Sequence, residues 1–294
     1  MAHRRTPRPD RIAGLDVLRG VALLLVVARH ALPDWFAGAG VVGVTMFFAL
    51  SAYLITGLLV EERERTGRVD LRRFYARRAR RLVPALLALV LGVVVVTLVL
   101  DPLNDRAELG RTVLFALTWT GNLPFGHASD ATFHLWTLAT EEQFYLVWPA
   151  LLILLGARRG LAAAALVSVA ALLATVAWAW DAPDVAYALP TSWAVCFVIG
   201  AAARLLRHRL DLVLTWRGAV PVAVACLAVL SVLPVRGHVV TYLVVGPVVA
   251  VATCVLVLRW RTWSSVQAPV LRALVWVGTV SYGAYLWNYP LTLW

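Results

Sequence analysis

The 294-residue sequence contains no lysine: all 27 of its basic residues are arginine. Beside abundant Ala, Val and Arg, that absence points to GC-rich codons and a bacterial source. Cysteine is scarce. Cys196, Cys226 and Cys254 stand singly inside apolar runs with no CxxC spacing, which excludes a disulfide-stapled fold or a cysteine metal site and leaves packing as their role. Charge is scarce too. Only 15% of residues are charged against 61% hydrophobic, with a mean hydropathy of +0.79, which excludes an ordinary soluble domain. No low-complexity linker, separate soluble domain or internal repeat is evident. The fold class that remains is all-α, a polytopic transmembrane helix bundle forming a single domain over 1–294.

Apolar stretches of about 17–22 residues, the length of a helix that crosses a bilayer core, recur along the chain. They lie at 13–31, 41–59, 82–100, 135–155, 161–180, 189–206, 219–235, 239–258 and 274–294, and predict about nine spans. The arginines cluster in alternate connections, at 4–11, 63–81, 158–159, 204–217 and 259–272. The intervening connections carry Asp34, Asp101, Asp105, Glu108, Asp130, Asp181 and Asp184. This positive-inside pattern places the amino terminus and the Arg-rich connections in the cytoplasm. The net charge of +11 therefore reports topology and contact with anionic inner-leaflet lipid, with no nucleic acid implied. The stretch 112–123 is too short to cross, so it is expected to be re-entrant or interfacial within a long external connection, 101–133. An odd number of spans leaves Trp294 outside, as though one returning helix were missing or the chain ended unusually. The first apolar run lacks a small-residue cleavage site and is read as a retained span, not a signal peptide.

Ionisable side chains at bilayer depth need a reason. In LDVLRGVALLLVVARH, residues 15–30, the eleven-residue step from Arg19 to His30 is three turns, so both project from nearly one face, about 16 Å apart. Asp16 is placed to pair with Arg19. In HLWTLATEEQFYLVWP, residues 134–149, His134, Glu141 and Tyr145 fall at steps of seven and four along one face, while Glu142 points about 100° away. A carboxylate near an imidazole can orient it for general-base work; a network that only ties helices together is the alternative. In GVTMFFALSAYLIT, residues 43–56, Ser51 has no base on its own helix, which favours close packing over nucleophilic duty. RRFYARRARRLVP, residues 72–84, either anchors the chain on anionic lipid or clamps phosphates through Arg77, Arg78, Arg80 and Arg81. SYGAYLWNYPL, residues 281–291, is an aromatic stretch near the outer interface.

In this order and spacing, covering nearly the whole chain, these stretches resemble the acyltransferase-3 family of bacterial integral-membrane O-acyltransferases. The resemblance implies ten helices with both termini cytoplasmic in the bacterial inner membrane, the tenth being the missing return span. It also implies transfer of an acyl group, often acetyl, from acyl-CoA to a hydroxyl of an extracytoplasmic glycan or lipid-linked sugar. Two positions depart from the family pattern. Asn288 stands where the family often has His, and an amide can hydrogen-bond but cannot shuttle a proton near neutral pH. Ser51-Ala52 stands where the family often has Ser-Gly. The implied mechanism has Arg19, with Arg77, Arg78, Arg80 and Arg81, holding the CoA phosphates. His30 removes the acceptor proton and Glu141 supports the imidazolium. His134, Tyr145, Ser51 and Asn288 are substrate-side candidates. No metal and no permanently bound cofactor are expected, acyl-CoA, in the first place acetyl-CoA, being the donor substrate. The main rival is a multi-span transporter or flippase for an envelope glycan precursor, in which the buried Arg, His and Glu form a substrate or proton path; no inverted repeat supports it. A non-catalytic scaffold is the third reading.

Overall fold

A computed structural model describes residues 12–123, 128–213 and 215–294; the arginine cluster at 4–11 lies outside the described residues. In chain order the helices are α1 (Ala13–Ala31), α2 (Ala39–Thr66), α3 (Leu71–Val99), α4 (Leu109–Thr118), α5 (Trp136–Trp178), α6 (Pro190–Leu205), α7 (Arg207–Val213), α8 (Ala219–Val232), α9 (Gly246–Trp260) and α10 (Pro269–Leu293), with no strand among the described residues. Their ends follow local chemistry. Pro190 and Pro269 open α6 and α10 at positions where no N–H is needed. Gly67, at φ 76°, closes α2 in the left-handed region, and Asp70 caps α3 by accepting from the Arg73 N–H at 2.9 Å. The charged segment between the second and third apolar runs is thus two helix ends joined by a tight turn, and both helices run beyond their apolar parts.

Each of the nine apolar stretches lies on helix. Four elements among the described residues, Ala39–Thr66, Leu71–Val99, Asp130–Trp178 and Thr241–Trp260, are long and apolar enough to cross a membrane, and Pro190–Leu205 and Ala219–Val232 are shorter apolar helices. The 43 residues of α5 would make a straight rod of about 65 Å, twice the thickness of a bilayer core. The chain instead folds back at Gly156, whose φ of 75° and ψ of 170° suit a residue without a side chain. A Cβ on Gly160 would lie 3.0 Å from the Leu151 carbonyl oxygen. Trp136, at the start of α5, and Tyr187, just past its end, meet with ring centroids 5.0 Å apart. The stretches at 135–155 and 161–180 are therefore the two arms of a hairpin. By contrast α4 is 10 residues long, about 15 Å, too short to cross.

α2 is the central helix. Its most apolar window is 78% buried inside the protein, against 28% for α3, and it packs on α1, α5, α6, α8 and α9. The core is aromatic around Phe48, which stacks on Phe197 at 4.6 Å and meets Trp136 and Trp193 edge-on or tilted. α3 buries Leu86, Leu89, Val90 and Val93 and exposes Leu87, Leu91, Val95 and Leu98, an apolar stripe at helical spacing suited to lipid contact.

α1 and α10, near the two ends of the chain, run parallel and touch backbone to backbone. A Cβ on Gly278 would lie 1.9 Å from the Asp16 carbonyl oxygen, and one on Gly20 would lie 2.2 Å from that of Leu274. Only residues without side chains permit this approach. Ten residues onward along each helix, about 15 Å, stand His30 and Asn288.

Candidate functional site

The glycine contact brings the C-terminal ends of α1 and α10 together. His30 Nδ1 lies 2.6 Å from Asn288 Nδ2. An amide can meet Nδ1 with its N–H or, turned about its last torsion, with its Oδ1. Only the Oδ1 arrangement keeps the ring proton on Nδ1 and leaves Nε2 free to accept one. Tyr289 sits between two imidazoles, its ring 5.0 Å from His30 and 5.4 Å from His134. Buried His134 places Nε2 2.9 Å from the Leu286 carbonyl oxygen, a contact that needs the proton on Nε2. His30, His134 and Tyr289 face a cavity of about 350 Å³ whose walls include Arg29, Trp136, Tyr187 and Arg236. Burial raises the pKa of the Tyr187 phenol above its ordinary value, so it remains a neutral hydrogen-bonding group there.

A second cluster sits deeper in the bundle. Ser51 Oγ donates to Glu141 Oε1 and the Tyr145 hydroxyl to Glu141 Oε2, each at 3.1 Å, so both carboxylate oxygens are engaged. The Arg78 guanidinium lies 3.5 Å over the Tyr145 ring and donates to Glu142 Oε1 at 2.9 Å. The expected support of His30 by Glu141 is therefore replaced: Glu141 bonds Ser51 and Tyr145, and His30 bonds Asn288. The reason is depth. Glu141 lies seven residues beyond His134, about 10 Å along the helix, whereas His30 is level with His134. The expected common face of His134, Glu141 and Tyr145 holds only for the last two. His134 belongs to the 3-10 turn Asp130–Leu135, whose tighter winding turns it toward α10. The partner of Ser51 comes from α5, 90 residues away, which no periodicity within α2 could reveal.

At the other end of α1, Arg19 donates to Asp16 at 3.3 Å. Arg81 lies close enough to Arg19 and Arg78 to feel both charges. The four arginines expected to act together separate here. Arg77 pairs with Glu62 at 3.8 Å, and exposed Arg80 donates to the Ala76 carbonyl of its own helix at 3.2 Å. A second, open cavity of about 260 Å³ at this end is walled in part by Asp16 and Arg272. Arg272 was legible in the sequence only as one of a basic run. The two cavities are separated along α1 by about 20 Å, from Asp16 to His30.

A family model described as an acyltransferase domain, acyltransferase 3, matches residues 12–294. The O-acetyltransferase OatA of Staphylococcus aureus (strain COL) is 37% identical over 149 residues, covering 48% of this chain and 24% of that protein. The peptidoglycan O-acetyltransferase OatA of Listeria monocytogenes serovar 1/2a is 36% identical over 162 residues, covering 51% of this chain and 26% of that protein. The matched region thus spans about a quarter of the length of these curated relatives. No solved structure matches the chain.

Proposed function

With the chain belonging to the acyltransferase-3 family, we propose that it is a membrane-bound O-acyltransferase that moves an acetyl group from cytoplasmic acetyl-CoA to a hydroxyl of an extracytoplasmic glycan or lipid-linked sugar. The relatives' names supply the acetyl group and, for the Listeria protein, peptidoglycan as a setting. In this reading the chain crosses the inner membrane nine times, with its Arg-rich connections in the cytoplasm.

The observation that carries the proposal is the series of polar groups between the two cavities. Arg19 and Arg81 stand at one end, the Ser51–Glu141–Tyr145 cluster lies deeper in the bundle, and His30, bonded to Asn288 behind it, borders the other cavity. A donor that cannot enter lipid and an acceptor that never reaches the cytoplasm must meet through such a polar path. Arg19 and Arg81 pair with donor phosphates, Arg78 being held by Glu142 and Tyr145. At the far cavity, Nε2 of His30 takes the acceptor's hydroxyl proton as the oxygen attacks the acyl carbonyl. Asn288 Oδ1 holds the Nδ1 proton and so fixes the productive tautomer. The carbon–sulfur bond breaks and the thiolate leaves, to be protonated from the imidazolium or from solvent.

The test is to supply purified protein in lipid discs with acetyl-CoA and a set of cell-wall glycans, and to follow free CoA thiol and glycan mass together. Equal rates of thiol release and acetylated product are expected. If glycan moves across sealed vesicles with neither thiol release nor acetylation, the protein is a transporter.

A further inference from the structure

Most arginines lie at the end of the helices where α2 meets α3 and α9 meets α10. Among the described residues, four lie at the opposite end: Arg29, Arg106, Arg111 and Arg236. Three of these have carboxylate partners, Arg106 with Asp101 at 3.7 Å, Arg111 with Glu108 at 3.4 Å and Arg236 with Asp184 at 3.5 Å. Arg29 has none among the described residues. It lines the 350 Å³ cavity beside His30, and no carboxylate lies among the residues that line that cavity with it. Its stem packs on α2 at Gly40, where an added Cβ would lie 3.0 Å from Arg29 Cγ. A cation in the last turn of a helix is favoured only weakly by the helix dipole, and that does not explain an arginine in a cavity wall with no carboxylate beside it.

We infer that the acceptor carries an anionic group, a carboxylate or phosphate, that pairs with Arg29 while the hydroxyl to be acylated lies at His30. The inference builds on the reading of this cavity as the acceptor side. Arg29 and His30 line one cavity of about 350 Å³, so the anion and the reacting hydroxyl belong to the same sugar or to neighbouring ones. Arg236 stands across the same cavity but is already partly neutralised by Asp184, which makes Arg29 the main determinant. A guanidinium–oxyanion pair is worth roughly 10- to 100-fold in binding.

The experiment is binding, which needs no turnover. The full chain in phosphatidylcholine discs is titrated with a hexosaminyl disaccharide bearing one carboxylate and with its carboxamide, which differ in charge and little else. The parent is expected to bind the carboxylate 10- to 100-fold tighter. Arg29→Gln should lose that preference, Arg29→Lys should keep most of it, and Arg236→Gln should weaken it less. Equal binding of the two probes by the parent, no binding of either, or a preference that survives Arg29→Gln overturns the inference. So does a preference that vanishes in phosphatidylglycerol discs, which would assign Arg29 to lipid headgroups. Should Arg29→Gln fail to fold, the parent's charge preference and the Lys variant still decide. Charge-selective binding without acetyl transfer would count against the proposed activity and leave this inference standing.

Discussion

Asn288 and His30 lie 258 residues apart in sequence and 2.6 Å apart in space, so the imidazole on the first helix takes its hydrogen-bond partner from the last. This contact gives a role to the position where the family often carries a second imidazole. In the proposed mechanism the amide supplies orientation, and the proton transfer falls to His30.

Replacing His30 with Gln keeps size and some hydrogen bonding but removes the base. The expected loss is about 10² to 10⁴ in acceptor acylation, with donor binding and insertion unchanged. Asn288→Ala should lower kcat by roughly 10-fold and leave the acceptor KM nearly as it was, since the amide touches the base and not the sugar. Near-parental turnover in His30→Gln would make that residue a helix contact only.

The backbone contact between α1 and α10 is tested by Gly278→Ala. Its Cβ would arrive 1.9 Å from the Asp16 carbonyl oxygen, so the helices must part. Overpacking of this kind costs about 1–3 kcal/mol. Thermal unfolding in detergent should show a lower midpoint, and turnover should fall with it as Asn288 draws away from His30. An unchanged midpoint would show that the helices can separate there at little cost.

Ser51 and Glu141 should be energetically coupled. A double-mutant cycle with Ser51→Ala and Glu141→Gln, read by thermal stability and by turnover, is expected to give a coupling of about 0.5–3 kcal/mol. Simple additivity would mean that the 3.1 Å contact contributes nothing.

On the donor side, Arg81→Gln should raise the apparent KM for acetyl-CoA roughly 10-fold while the protein inserts normally. Unchanged donor kinetics would leave Arg81 as a lipid anchor.

Orientation can be checked with a cysteine introduced at Asp105 in a chain freed of its own three. An impermeant thiol reagent added to intact cells should label it. Labelling only after lysis would reverse the proposed topology.

Much of this was legible in the sequence because lipid imposes a strict rule on composition. α1 was read at its observed bounds, and the two stretches flanking Arg158 and Arg159 are the arms of one hairpin. The ends of α2 and α3 were not legible, since Glu61–Arg65 and Leu71–Arg81 are charged, and hydropathy marks where the lipid ends, not where the helix does. Arg19 and His30 stood out because a bilayer makes such residues costly. Their partners did not, because a partner on another helix leaves no mark at any fixed spacing. A pairing of Glu141 with His30 rests on residue type alone, and the 3-10 turn at Asp130–Leu135, which turns His134 off the face of Glu141 and Tyr145, carries no strong sequence signal.

The parallel pairing of α1 with α10 has a consequence for biogenesis. Chains enter a membrane from the amino terminus onward, and contacts between distant segments form only when the later one arrives. His30 on α1 is inserted well before Asn288 on α10, so its hydrogen-bond partner is absent until α10 is in place. A partly inserted chain would expose a cavity wall but hold no fixed tautomer at its base. In the proposed mechanism, the orientation of the base is thereby tied to the arrival of α10.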